Sequence, residues 1–553
     1  MITLTHDVLK KYIDNNKNLA SYRKRFCYDD MRNIFFNPHN QKVISLYGLR
    51  RTGKTVLMQQ LMQEINDYDR ICFIQCQYYD DMMNLRSAIE DNDNCDYIFI
   101  DEATKLDNFI NTASVLSDIY ATAGKHIIMA GTDSLGFEIA SKDELFDRSY
   151  LIHTTYIPFK EYNYLLGKSL DDYIMYGGTL TPDGTFYNKE ICDAYTNSAI
   201  AENIQHSLEH IGRGGKFGPL LSFYADDELT TFLNKIIELH NRTFLAKTVN
   251  RRFKSHDIGS LKDLVAKKSD NQRLIIEKLK SPELQQQIMD ALKIKEPLVQ
   301  TADAKAVEAA KKWLEILDVI YRFPGTASHE AGQDEEVIFT QPGLRYCQVT
   351  AAMDLLKNSF VLSELPYEVR NELCQQLDAD VKGQLLEDII FYQLAKEPCF
   401  SEKFIISKFS NGSGEFDIAV MNKKDGNSCV IEVKHSDRAV EAQARFLNDD
   451  DFCAKYEAQM QSQIVCKMVI YMGDTLPEKL YGVSYVNAED FLKSPFEFFT
   501  QIYERENGCV APGELAEEIV KFSNSLVVAD NVKNLGQSVI ASPSQGQNKI
   551  NRQ

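Results

Sequence analysis

Between residues 43 and 157 the chain alternates short, almost uninterrupted apolar runs with stretches of helical period. The runs are VISLY (43–47), ICFIQ (71–75), YIFID (97–101), HIIMAG (126–131) and SYLIHTTYI (149–157), separated by segments such as TVLMQQLMQEI. A strand with one wet face alternates apolar and polar residues, whereas a strand covered on both faces is apolar throughout. Covered strands spaced by helices predict a parallel sheet between two helical layers, an α/β fold.

After residue 160 the pattern becomes mostly helical, with TTFLNKIIELHNRTFLA, DLVAKK, PELQQQIMDALKI and AVEAAKKWLEILDVIYRF, and a strand-like EVIFTQPGLR follows at 336–345. Short helices followed by a strand predict a winged-helix or helical lid module. From about 380 a helix, GQLLEDIIFYQLA, precedes a hairpin of FDIAVM and CVIEVK around KKDGNS, and then the strands CKMVIYM (466–472) and GVSYV. Four units are expected: 1–165 (parallel α/β), 166–350 (helical, winged-helix), 351–510 (small α/β) and 511–553. The last ends in the polar SPSQGQNKINRQ, which predicts a disordered tail.

Composition narrows the classes of function. A chain of 553 residues is too long for one ordinary core. No apolar stretch approaches the ~20 residues a bilayer span needs, so no membrane partner is expected. The start, MITLTHDVLKKYIDNN, has no apolar core followed by a cleavage site, and no secretion signal is read there. The 12 cysteines are scattered, and Cys72 and Cys76 lie along one expected strand, which suits buried thiols in a reducing cytoplasm. A net charge of −19 argues against nonspecific coating of nucleic acid. Residues 241–300 run the other way, with 13 Lys/Arg against 7 Asp/Glu, as either a nucleic-acid face or a solvated helix surface.

The clearest chemistry is the sequence Gly48-Leu49-Arg50-Arg51-Thr52-Gly53-Lys54-Thr55, lying after VISLY and before TVLMQQLMQEI. This is G-x-x-x-x-G-K-[ST] in the setting its mechanism demands. Gly48 and Gly53 let the backbone amides of Arg50, Arg51 and Thr52 curl toward phosphates, Lys54 reaches the β and γ oxygens, and Thr55 ligates magnesium. A second motif agrees with it: the apolar strand 97–100 ends in Asp101-Glu102. Two carboxylates at the end of a buried strand are costly unless a charged partner sits there. Asp101 is expected to hold magnesium, and Glu102 to orient the water that attacks ATP. Thr132 and Asp133 after the fourth strand fit either a γ-phosphate sensor or a plain polar turn. Arg148 fits either an arginine finger or a structural ion pair.

These residues resemble AAA-like P-loop ATPases of bacteria and archaea that carry a winged-helix segment and a C-terminal restriction-endonuclease-like domain. The resemblance rests on G-x-R-x-x-G-K-T (48–55), I-D-E (100–102), IPFKEY (157–162), YGG (176–178) and FTQPGLR (339–345). It continues through GQLLED (383–388), EFDIAV (415–420) and IEVK (431–434), and so spans most of residues 20–480. The chain departs from the family in its Thr-Asp pair at 132–133 and in a long Lys-rich lid.

The hairpin after residue 415 has chemistry of its own. A turn centred between Lys424 and Asp425 sets Asp417 across from Glu432, and Glu432 shares a strand face with Lys434. Glu387 on the preceding helix is a third carboxylate. This Glu…Asp…Glu-x-Lys order looks like the PD-(D/E)XK nuclease core. The resemblance implies that Asp417, Glu432 and Glu387 bind magnesium or manganese while Lys434 orients or deprotonates water. A cross-strand salt bridge on an exposed face is the plainer reading.

His206 and His210, four apart on an expected helix, read as surface histidines, and Trp313 as core. The expected protein is therefore an ATP- and magnesium-binding ATPase whose nuclease-like domain cuts or binds nucleic acid, DNA more than RNA. A nucleotide-driven switch with a non-cleaving binding domain is the rival, and a slow sensor that forms a homo-oligomer is a third reading.

Overall fold

The computed structural model describes residues 1–181, 194–254, 281–292, 303–323 and 336–506, apart from 108, 143, 212–214, 226, 364 and 412–413. The C-terminal unit 511–553 with its expected tail, much of the basic run 241–300, and the side chains of His206 and His210 lie outside the described residues.

Six strands form the first sheet: β1 (Ile2–Leu4), β2 (Val43–Tyr47), β3 (Ile71–Gln75), β4 (Tyr97–Asp101), β5 (His126–Gly131) and β6 (Ser149–His153). Their order is β1-β3-β4-β5-β2-β6, with β1 antiparallel and every other pair parallel. All five residues of β2 are buried, as a two-sided sheet requires. β5 lies between β2 and β4, with Tyr47 opposite Gly131 and Ile100 opposite Met129. This register brings the loop after β2, the acidic pair after β4 and the turn after β5 to one carboxyl edge of the sheet, where open α/β sheets bind their ligands.

The sheet ends sooner than the apolar run 149–157 suggests. Thr154 and Thr155 leave β6 to brace the loop after β2: Thr154 donates its amide and hydroxyl to Tyr47 O (2.8 and 3.0 Å), and Leu49 N donates to Thr155 Oγ1 (3.0 Å).

In the middle of the chain a 26-residue helix, Leu229–Lys254, packs with shorter helices and an antiparallel pair, β7 (Ile320–Phe323) and β8 (Glu336–Phe339). The run EVIFTQPGLR is not one strand. β8 stops at Phe339, and Pro342 opens the helix Pro342–Lys357, because a residue with a fixed φ and no N–H suits a first helical turn and cannot continue a ladder.

A 30-residue helix, Tyr367–Lys396, leads into the last sheet. It contains β9 (Phe404–Asn411), β10 (Gly414–Asn422), β11 (Ser428–Lys434), β12 (Ile464–Tyr471) and β13 (Ser484–Asn487), in the order β13-β12-β11-β10-β9. β9, β10 and β11 pair antiparallel, while β11, β12 and β13 pair parallel. One continuous core joins Phe159, Tyr162 and Tyr173 to Val349, Leu385 and Ile390 and to Ile418, Ile431 and Met468. Residues on both sides of 165 and of 350 therefore share apolar packing. No helix among the described residues is long and apolar enough to cross a membrane.

Candidate nucleotide site and carboxylate cluster

The loop 48–55 wraps the start of the helix Lys54–Ile65. Gly48 has φ +145°, and a Cβ there would lie 2.5 Å from Thr154 Oγ1, so only glycine fits between the strands. Gly53 (φ +89°) and Arg51 (φ +67°) also take left-handed conformations. Lys54 is buried, and its Nζ donates to Gly48 O and Leu49 O at 2.7 and 2.8 Å. Burial lowers its pKa to about 8, against the pull of Glu102 and Asp101. Thr55 Oγ1 donates to Asp101 Oδ2 at 3.2 Å, joining the two motifs that were separate in the sequence.

Asp101 is buried, and burial together with Glu102 raises its pKa to about 6 despite Lys54 and Thr55. Glu102 has φ +55°, a strained conformation that turns its carboxylate toward Thr132, whose Oγ1 donates to Glu102 Oε2 at 3.2 Å. Asp133 Oδ1 accepts from Gly136 N at 2.9 Å, at the start of the helix Ser134–Lys142. Arg148 is at the opposite end of the sheet: its carbonyl accepts from Val43 N, at the start of β2, and its Nε lies 2.6 Å from Asp118 Oδ1. Arg50 faces Glu202 at 3.7 Å.

Sequence reasoning missed the supports of this loop. Arg25, 7% exposed, pairs with Glu161 of the IPFKEY stretch through Nε (2.9 Å) and Nη2 (2.8 Å), and its Nη1 donates to Thr52 O and Thr154 O (2.9 and 2.8 Å). One guanidinium thus ties the phosphate loop to the segment after β6. The YGG and FTQPGLR stretches meet as well: Gln341 Nε2 donates to Gly178 O (3.1 Å) and Gly343 N to Gly177 O (3.1 Å). Tyr195 donates toward Gln341 Oε1 at 3.2 Å and Arg50 O at 3.5 Å, and Leu180 N donates to Arg51 O at 2.9 Å.

The second cluster lies on β10 and β11. Ile418 pairs with Ile431, so the same register sets Asp417 beside Glu432. Both carboxylates are buried, at 5% and 4% exposed, so the face is not the open one of a surface salt bridge. Lys434 Nζ lies 2.6 Å from Glu432 Oε2 and 3.1 Å from Asp417 Oδ2, and the latter also accepts from Val433 N at 2.7 Å. Burial pushes Asp417 up, but Lys434, the Val433 amide and Arg251 outweigh it and hold its carboxyl below the usual range. Glu432 is held well above that range by burial and Asp417, and its Oε1 is buried without a hydrogen bond. Glu387, on the helix Tyr367–Lys396, is pushed up to about 8 by burial and Asp417.

Among the described residues no group of three or more His, Cys, Asp and Glu side chains is clustered so as to hold a metal ion. The donor set nevertheless suits a hard divalent cation, since it offers carboxylate oxygens, one of them unpaired. Arg345 of the FTQPGLR stretch donates to Asp388 Oδ2 (2.8 Å) between the rings of Phe244 and Phe339, anchoring the residue next to Glu387. A cleft runs beside it, lined by Lys247, Arg251, Arg345, Glu387 and Lys408 among others.

No curated protein matches the chain. Residues 40–163 match the family model described as an AAA domain, which is the span holding the phosphate loop, Asp101-Glu102 and Thr132. The match supports an AAA-like P-loop ATPase over those residues.

Proposed function

We propose that this protein hydrolyses ATP at the loop 48–55 and couples that cycle to a PD-(D/E)XK nuclease-like domain that acts on nucleic acid. In the first site the amides from Arg50 to Thr52, with Gly48, Gly53 and Lys54, hold the phosphates, and Thr55 and Asp101 hold magnesium. Glu102 orients the attacking water, with Thr132 fixing its carboxylate. The Thr55–Asp101 hydrogen bond supports this assignment, because it puts the two magnesium-ligand types within reach of one ion.

In the second site Asp417 and Glu432, completed by Glu387, would hold magnesium or manganese, which supplies Lewis acidity toward a phosphodiester and an activated water. Lys434 steadies the negative charge and holds or releases a proton at the water. The observation that carries this reading is the buried, unpaired Oε1 of Glu432 beside a second buried carboxylate, an arrangement costly for stability and useful for binding a cation. The helices of the middle segment with the β7–β8 pair support a winged-helix module that would contact DNA. The test is cleavage of DNA and RNA with magnesium or manganese, with and without ATP. Glu432→Ala is expected to abolish cutting and Lys54→Ala to abolish ATP binding; normal cutting by Glu432→Ala would remove the nuclease assignment.

A second reading has its own observation. Lys434 already pairs with both Asp417 and Glu432, which a closed structural salt bridge would also do. In that case the C-terminal domain binds a partner without cleaving, and ATP binding depends on Lys54 with no cutting under any metal.

A further inference from the structure

Arg251 stands on the last turn of the helix Leu229–Lys254 and reaches from the middle of the chain into the C-terminal carboxylate cluster. Its Nη2 lies 3.0 Å from Glu415 Oε2 and its Nη1 3.8 Å from Glu387 Oε2. Glu415 is two residues before Asp417 on β10, so both belong to one stretch of strand. The neighbours of Arg251 set its position. Thr248 Oγ1 donates to Gln384 Oε1 at 2.7 Å, and Arg252 grips Asp380 through Nε and Nη2 at 2.7 and 2.8 Å. Gln384 and Asp380 stand on the helix that carries Glu387, so this clamp fixes one helix against the other and delivers the guanidinium to the cluster.

We infer that Arg251 is a built-in cation of the carboxylate cluster with which a divalent ion must compete, so that the placement of the helix Leu229–Lys254 regulates metal binding at the C-terminal site. The inference rests on the proposed metal site. Glu387, one of the proposed ligands, already has a guanidinium beside it, held there by Glu415 two residues before Asp417, and a positive charge within a few ångströms opposes the arrival of two more. Arg251 is 47% exposed, against 31% for Lys434 and 12% for Lys408, so it is the cation of this cluster best able to turn away into solvent. The unpaired Oε1 of Glu432 offers an incoming ion an oxygen that no internal cation takes. The clamp leaves Arg251 dependent on a contact outside the C-terminal sheet. Movement of that helix would withdraw the competitor without altering any carboxylate.

Titration of the full-length, nucleotide-free protein with Mn²⁺, followed by the EPR signal of the free ion, tests this. Arg251→Gln is expected to bind Mn²⁺ on the order of tenfold more tightly than the wild type, screening by solvent limiting the gain. Arg251→Lys keeps the charge and stays near the wild type. The tightened component must vanish when Glu432→Gln is added. A Glu432-dependent site with equal or weaker affinity in Arg251→Gln overturns the inference and leaves the metal site standing; weaker affinity would make Arg251 a support of the site. Absence of any Glu432-dependent Mn²⁺ binding in all variants removes the metal site itself, and the inference with it. Should Arg251→Gln fail to fold, Asp380→Asn decides: it loosens the clamp and keeps every cluster residue, tighter binding supporting the inference and unchanged binding overturning it.

Discussion

Arg25 and Glu161 are 136 positions apart in the chain and form a buried, two-point ion pair under the phosphate loop. The remaining Arg25 N–H groups go to Thr52 O, Thr154 O and Tyr156 O, so the pair is a strut between the loop and the segment that leaves the sheet. Removing one partner strands a buried charge, which costs about 3–5 kcal/mol. Glu161→Gln should therefore lower the urea midpoint strongly, and at temperatures where it stays folded it should bind ATP more weakly than the wild type. Equal stability would show that Arg25 is neutralised some other way.

Lys54 and Asp101 predict the pH response of the nucleotide site. Burial brings Lys54 down to about 8, so the loop loses its ammonium above that pH. Burial and Glu102 bring Asp101 up to about 6, so below that pH it is protonated and a poor magnesium ligand. ATP hydrolysis measured as kcat/KM, which reports groups of the free enzyme, should be bell-shaped with limbs near those two values. Asp101→Asn should abolish the acidic limb together with most of the activity; an unchanged profile would remove Asp101 from the site.

The parts of this site that were legible in the sequence are those carried by local pattern. The five apolar runs appear as strands, the last only as far as His153, and the phosphate loop and acidic pair sit at the carboxyl ends of two of them, because a strand-loop-helix motif is written in consecutive residues. The hairpin register was legible because a turn centre fixes every pair across it. β9 was not expected: FIISKFSN mixes polar and apolar residues without a strict period. Pro342 marked the helix start inside EVIFTQPGLR, yet the apolar run before it masked the boundary. The Arg25–Glu161 and Arg251–Glu387 contacts have no local signature, since each joins segments more than a hundred residues apart. Arg251 showed only as one charge in a basic run.

Gly178 separates conformational strain from close packing. Its φ is +110°, and a Cβ there would lie 2.5 Å from Gln341 Cβ and 2.9 Å from Gln341 Cα. Gly167 also has positive φ, +66°, but its Cβ would meet nothing within 4 Å. Gly167→Ala should cost about 1 kcal/mol from backbone strain alone. Gly178→Ala must also push back the Gln341 contact and should cost about 2–4 kcal/mol. Because Tyr195 bridges Gln341 to the phosphate loop, Gly178→Ala should also weaken ATP affinity. Paired denaturation curves and ATP titrations check this, and identical behaviour of the two variants would show that the YGG turn is free to shift.

Glu432 offers a way to tell a functional carboxylate from a structural one. Burial, then Asp417, holds its carboxyl well above the usual range. A carboxyl whose folded pKa exceeds its unfolded value makes the fold less stable when ionised, and the penalty is relieved as pH falls through the folded pKa. Glu387, pushed up to about 8 from 4.5, adds a slope of the same sign. These two carboxyls therefore add stability to the metal-free protein as pH falls through about 8, opposite in sign to Lys54, whose lowered pKa removes stability as pH falls toward about 8. Glu432→Gln removes one of the strained charges while Asp417 keeps its bonds to Lys434 and the Val433 amide. Without metal the variant should be more stable than the wild type at alkaline pH, where Glu432 is ionised, and the gap should shrink at lower pH. In the wild type, Mn²⁺ should bind more tightly as pH rises through about 8, because the ion displaces protons from the cluster. A Glu432→Gln variant clearly less stable than the wild type at alkaline and lower pH alike would mean that its ion pair with Lys434 is what the fold retains it for, and would favour the non-cleaving reading.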